Sequence, residues 1–308
     1  MRFMTVCAVG AACLGAQVSA EGLAHLSFSS QVLTGETFRD IDALTGSFTG
    51  ASRFAAIGVY ETGATSLYGS LVFDNVDFTG RGLRDNTREA STLELGLDYA
   101  AGQFTIGANA SVLDLANLDE ENTLTSLALY GDYGWDGFHA GAALVSIEAS
   151  DGDFDDVGFA LFGGYETPTG LALGAQVTEI DDETFYTAYA TYATDAYEIT
   201  LDVTGDDNDR LARLFGAYYV LPEVAVIGGF VDLDTGFDGT TERYVGARVD
   251  VAPGYSAEFA LYDLEAFNGF EGDGVSFKIG YEVGSPRRGY QSFATIADRL
   301  LSPIFYSF

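Results

Sequence analysis

From Ser91 to Tyr99 the residues alternate in polarity one for one. Leu93, Leu95, Leu97 and Tyr99 fall on one parity, Glu94, Gly96 and Asp98 on the other. Successive side chains of an extended chain point to opposite faces, so this stretch reads as a strand with an apolar face and a face carrying two carboxylates. Tyr197 to Thr204 repeats the pattern, with Tyr197, Ile199, Leu201 and Val203 against Glu198, Thr200, Asp202 and Thr204. Gly274 to Val283 does so again, with Val275, Phe277, Ile279, Tyr281 and Val283 against Ser276, Lys278, Gly280 and Glu282. A helical period fits none of these runs. The same reading predicts strands near 22–33, 53–61, 66–73, 91–99, 103–113, 123–133, 138–147, 156–165, 171–180, 184–192, 197–204, 209–220, 224–232, 242–251, 255–265 and 274–283.

The connections between these strands differ in kind by turns. One set, at 62–65, 100–102, 134–137, 166–170, 193–196, 221–223 and 252–254, is tight and nearly free of charge. The other, at 34–52, 74–90, 114–122, 148–155, 181–183, 205–208, 233–241 and 266–273, is generally longer and rich in Asp and Glu. A soluble sandwich has no reason to segregate its loops in this way. A membrane barrel does, with short periplasmic turns at one end and longer extracellular loops at the other. Tyr60, Tyr99, Phe104, Tyr133, Trp135, Phe138, Tyr165, Tyr192, Tyr197, Tyr219, Tyr255 and Tyr281 all fall beside the short turns. Amphipathic rings gather where membrane meets water. The fold class expected is therefore all-β, a transmembrane antiparallel β-barrel of about sixteen strands over residues 21–283.

The ends suit export. Arg2, the apolar run Val6 to Gly15 and the small residues Val18-Ser19-Ala20 read as a signal peptide over 1–20. Both cysteines, Cys7 and Cys13, lie inside it, so no disulfide is available to the remainder. At the other end, 284–308 is expected to begin in the periplasm after an even number of strands. Phe293, Ile296, Ala297, Leu300 and Leu301 have helical spacing, and Pro303 would stop that helix. A short helix over 292–301 is expected to dock at or inside the periplasmic mouth, the alternative being a loose tail whose last residues serve only in assembly. In the docked case Arg287, Arg288 and Arg299 would meet lumen carboxylates such as Asp98 or Glu282.

Composition removes several function classes. A net charge of −32 excludes a nucleic-acid surface. Disorder, the usual reading of an acidic chain, is excluded by a hydrophobic content of 47%. No run after residue 20 is long and apolar enough for a membrane-spanning helix. The equipment for catalysis is thin. His25 and His139 are the only histidines and lie in different strands, and no G-x-S-x-G, phosphate loop or metal-ligand cysteine pair is present. The chain is expected not to be an enzyme and to need no catalytic metal or cofactor. Asp151-Gly152-Asp153-Phe154-Asp155-Asp156 has oxygen-ligand spacing but puts Asp156 where a calcium loop needs Gly, so at most loose Ca²⁺ or Mg²⁺ at acidic outer loops is expected.

The alternation places Glu94, Asp98, Glu198, Asp202, Glu258, Lys278 and Glu282 toward the barrel interior. Arg248 follows on the Tyr244-Gly246-Arg248-Asp250 face. Arg213 lies in a strand whose faces are both mixed. A mid-membrane arginine facing lipid costs about 2–4 kcal/mol, which assigns it to the lumen too.

In its signal, its sixteen amphipathic segments, its alternating connections, its lack of cysteine after residue 20 and its acidity, the chain resembles the general porins of Gram-negative bacteria over about 21–283. The resemblance implies passive diffusion of ions and small hydrophilic solutes across the outer membrane. The inward carboxylates add a preference for cations. The alternatives are a substrate-specific channel and a non-conducting structural or adhesive barrel. The resemblance also implies a homotrimer, contact with outer-membrane lipid and lipopolysaccharide, and insertion by the barrel-assembly machinery. The chain's end, Ile304, Tyr306 and Phe308, resembles the signal which that machinery reads. In such porins the third external loop folds into the lumen and sets its carboxylates against arginines. The matching loop here is 114–122, with Asp114, Asp119, Glu120 and Glu121, and it is shorter than the family's. The longer segments 34–52 and 74–90, the second bearing Arg81, Arg84 and Arg88, are further candidates to narrow the mouth.

Overall fold

The computed structural model describes residues 23–36, 46–80, 83–117, 120–150, 155–234, 239–266, 270–284, 290–292 and 295–296. The expected signal at 1–20 lies outside them. Sixteen strands follow one another: β1 (Leu23–Glu36), β2 (Gly46–Thr62), β3 (Thr65–Gly80), β4 (Leu83–Ala101), β5 (Phe104–Asn117), β6 (Glu120–Trp135), β7 (Phe138–Ala149), β8 (Asp155–Glu166), β9 (Leu171–Ile180), β10 (Glu183–Ala193), β11 (Tyr197–Gly205), β12 (Arg210–Leu221), β13 (Val224–Asp234), β14 (Gly239–Ala252), β15 (Tyr255–Ala266) and β16 (Phe270–Gly284). Each pairs antiparallel with its sequence neighbours, and β1 pairs with β16 from His25↔Gly284 to Glu36↔Asp273. The sheet is thus a closed barrel with no free edge. Sixteen strands tilted as in other barrels enclose a backbone cylinder about 30 Å across.

The faces sort as the alternation requires. Outward-facing Leu95, Ile106, Leu144 and Val251 are 57–68% exposed, and apolar residues of this kind recur on every side of the barrel. On a soluble protein a continuous apolar girdle would be an aggregation hazard. At the end of the short turns, rings stack along the rim. Phe104 meets Tyr133, Tyr133 meets Trp135, Trp135 meets Phe138 and Phe138 meets Tyr165, with centroids 4.1–5.7 Å apart.

Inward aromatic rings lie flat on the wall because glycine receives them. Tyr68, Tyr130, Phe162, Tyr189, Tyr244 and Tyr262 each face a glycine as their cross-strand partner. At Gly96 and Gly107 an added Cβ would come within about 2.3 Å of the Tyr68 and Tyr130 rings. The closest approach of ring to backbone therefore specifies glycine there.

Two expectations need correction. The segments 74–90 and 114–122 are read above as loops, but their described residues continue the wall. β3 and β4 pair out to Gly80↔Leu83, and β5 and β6 out to Asn117↔Glu120. The reason is physical: beyond the apolar girdle both faces of a strand are wet, so polarity stops alternating while backbone pairing goes on. The inward face is also less polar than expected. Near the strand ends away from the short turns, Leu33, Leu113, Ile147, Ile180, Leu211 and Leu233 point inward and are all at most 6% exposed.

Candidate functional site

The barrel interior holds the charged chemistry, and register brings it together. Arg213 on β12 is the cross-strand partner of Asp202 on β11. Its Nε and Nη2 reach the two carboxylate oxygens at 3.2 and 2.5 Å, a bidentate pair. Arg248 on β14, Glu258 on β15 and Lys278 on β16 lie in one cross-strand row. Arg248 Nε is 3.2 Å from Asp250 and 3.9 Å from Glu258, and Lys278 Nζ is 3.7 Å from the other Glu258 oxygen. One carboxylate thus sits between two cations.

This row borders a cavity of about 830 Å³ that Ser27, Arg248, Glu258, Lys278 and Glu282 help to line, next to the β14–β15 turn. A neighbouring hollow of about 480 Å³ is lined by Glu198, Tyr219 and Asp250 among others. Both hollows lie at the short-turn end, against the wall from β10 around through β16 to β2.

The opposite wall is occupied by the chain's own C-terminal segment. Tyr290, Ser292 and Ile296 are 3%, 0% and 1% exposed. The Tyr290 ring stacks on Tyr130 at 5.1 Å and meets Phe162 at 5.9 Å. The Gln176 side chain takes both backbone groups of Gln291: it accepts from the N–H at 2.8 Å and donates to the carbonyl at 2.9 Å. A helical turn begins at Ser292, whose hydroxyl accepts from the Thr295 N–H at 3.1 Å while its carbonyl accepts from the Ile296 N–H at 3.2 Å. Glu94 receives this turn. Ser292 and Thr295 hydroxyls donate to one of its oxygens at 2.9 and 2.8 Å, and Asn109 donates to the other at 2.6 Å.

Of the residues predicted from sequence, Arg213, Arg248, Asp202, Glu258, Lys278, Glu198 and Glu282 belong to the charged wall or its hollows. Glu94 points inward, but it anchors the C-terminal segment and does not border the open space. Asp98 accepts a hydrogen bond from the Tyr130 hydroxyl. The described residues of the segment dock on Glu94 and Gln176. Arg287, Arg288 and Arg299 lie outside the described residues. Asp114 is an exposed member of β5 that accepts from the Thr123 hydroxyl at 2.7 Å. Glu120 and Glu121 open β6, and Arg84 and Arg88 belong to β4. Arg81, Asp119 and 151–154 are outside the described residues. Sequence reasoning missed Arg53, which reaches the buried Asp74 at 2.8 Å across the β2–β3 pair. It also missed Asn109 and Gln176. His139 Nδ1 lies 3.4 Å from Asp132 without the alignment of a hydrogen bond. Among the described residues, no group of three His, Cys, Asp or Glu is placed to hold a metal ion.

No protein-family model matches the chain. No curated protein matches it. Solved structures similar in fold include OpdQ of Pseudomonas aeruginosa, at 10% identity and TM-score 0.48, covering 85% of this chain and 97% of that one. A mutant of the Rh. blastica porin is 12% identical with TM-score 0.45, covering 84% and 100%. The Ralstonia pickettii toluene transporter TbuX is 12% identical with TM-score 0.44, covering 86% and 90%.

Proposed function

We propose that this chain is a bacterial outer-membrane channel of the porin kind, which passes ions and small hydrophilic solutes by passive diffusion and prefers cations. One observation carries the reading. A closed barrel turns an apolar girdle outward and keeps an ion-paired hollow within. Only a barrel that satisfies all its backbone groups internally can present such a surface to lipid. A wet, charged interior inside that girdle gives ions a path on which hydration is replaced by wall groups.

The cation preference follows from the wall's balance. Among the residues lining the two hollows, Asp195, Glu198, Glu223, Asp250, Glu258 and Glu282 outnumber Arg248 and Lys278, and the Arg213–Asp202 pair adds one charge of each sign. The low-dielectric wall focuses that excess into the passage. Reversal potentials in a KCl gradient test it, and a preference for chloride contradicts it. A trimer in the outer membrane is part of the same proposal, tested by cross-linking in intact cells.

A second reading, a channel selective for particular solutes, is favoured by the buried inward Leu and Ile residues and by the occupied wall. Liposome swelling with sugars of graded size separates the two. A general pore admits solutes by size alone, whereas a selective one discriminates among sugars of equal size.

A further inference from the structure

We propose that the stretch bearing Tyr290, Gln291, Ser292, Thr295 and Ile296 is the channel's resident constriction. It holds one side of the lumen closed and confines traffic to the ion-paired wall of β11 to β16. This deepens the channel reading and rests on it. Such a barrel can be narrowed from above by a loop. Here, as far as the described residues run, the outer hairpins stay in the wall, and the group that enters the lumen arrives from the strand that ends last, β16.

Three observations make the segment a fixed part of the wall. First, its seat is shaped for it. Tyr290 and Ile296 complete a cluster with Ala128, Ala143, Val145, Ala160 and Phe162, side chains that face inward on β6, β7 and β8. A water-filled pore gains nothing by lining itself with these groups, and exposing them costs free energy in proportion to their area. Second, the polar contacts match donor to acceptor. Gln176 pairs with the backbone of Gln291 as a neighbouring strand would. Glu94, 7% exposed and with no cation among its contacts above, is satisfied by hydroxyls from the segment and the Asn109 amide. Third, the hollow is displaced. The cavity beside Arg248, Glu258 and Lys278 is lined from β14 to β16, β1 and β2, whereas the seat is built on β4 to β9. Solutes are thereby brought past the row in which two cations flank one carboxylate.

Residues 21–308 contain no cysteine, so single thiols can report on the seat. Ala160→Cys places a thiol in the apolar cluster that Tyr290 and Ile296 complete, at a position 0% exposed, and Ser256→Cys places one on the lining of the cavity. With the full chain in planar bilayers, a small charged methanethiosulfonate reagent should modify Ser256→Cys and change its current, and leave Ala160→Cys untouched. Adding Tyr290→Ala and Gln176→Ala should release the segment. Ala160→Cys then becomes reactive and conductance rises roughly twofold, as the cross-section opens toward the full width of a sixteen-strand barrel. The milder Gln176→Ala alone should move both readouts in the same direction, and heat-modifiable gel mobility confirms that each barrel is folded. Rapid modification of Ala160→Cys in the otherwise unchanged chain overturns the proposal. So does a released variant that conducts as the parent does. If the parent is silent and the released variant conducts, the segment is a closing plug, which overturns the resident constriction but keeps the channel. If neither conducts although Ala160→Cys is protected, the channel reading fails and the constriction fails with it.

Discussion

Replacing Arg248 and Lys278 with Gln removes both cations that flank Glu258 and leaves its carboxylate facing the hollow alone. A unit charge acting on an ion about 8 Å away contributes about 0.5 kcal/mol in water. Screening at 0.1 M salt, with a Debye length of about 10 Å, reduces this to about 0.2 kcal/mol for each cation lost. Two such changes raise the population of a permeating cation about twofold and lower that of an anion equally, so the permeability ratio should rise about fourfold. At 1 M salt the Debye length is about 3 Å and the effect should nearly vanish. The assay is the reversal potential of the double variant against the parent in KCl gradients centred on low and high salt. An unchanged potential at low salt would refute the reasoning, because it would place the current-carrying path away from this row. A shift toward chloride would refute it more strongly.

Three further outcomes follow from the wall itself. Arg53→Ala leaves the buried Asp74 without its 2.8 Å partner and should cost about 3 kcal/mol in urea unfolding from detergent micelles; pairing it with Asp74→Asn should recover much of the loss. Leu144 is 64% exposed on the outward face, so Leu144→Arg should destabilise the barrel by about 2–4 kcal/mol in lipid and by less in a polar co-solvent, read from the temperature at which the folded band disappears on a gel. Asp181 and Asp182 join β9 to β10 with φ of 48° and 63°, a conformation favoured by glycine, so Asp182→Gly should raise the same melting point, by a stabilisation of about 1 kcal/mol.

The strand count was legible because lipid imposes a strict rule on outward side chains, and runs such as Leu93-Leu95-Leu97 obey it. Where lipid ends the rule ends, and Asn75↔Glu89 is paired strand although neither residue announces it. The inward charges on clean alternations, Asp202, Glu258 and Lys278, could be placed by parity alone. Their pairings could not, since Arg213–Asp202 and Arg53–Asp74 depend on hairpin register. Ile296 was legible as the apolar face of a helix with somewhere to dock. Its seat was not, because Tyr130, Phe162 and Gln176 come from three strands whose mutual register sets them around one point. Inward leucines such as Leu211 and Leu233 escaped because a pattern of two faces cannot say whether an inner face is wet.

The central claim, a water-filled path through a lipid-embedded barrel, is tested most directly by adding purified residues 21–308 to a planar bilayer in 1 M KCl. The account predicts discrete upward steps of uniform size that persist at low voltage. Membranes that stay silent when heat-modifiable gel mobility shows the barrel folded and inserted would contradict it.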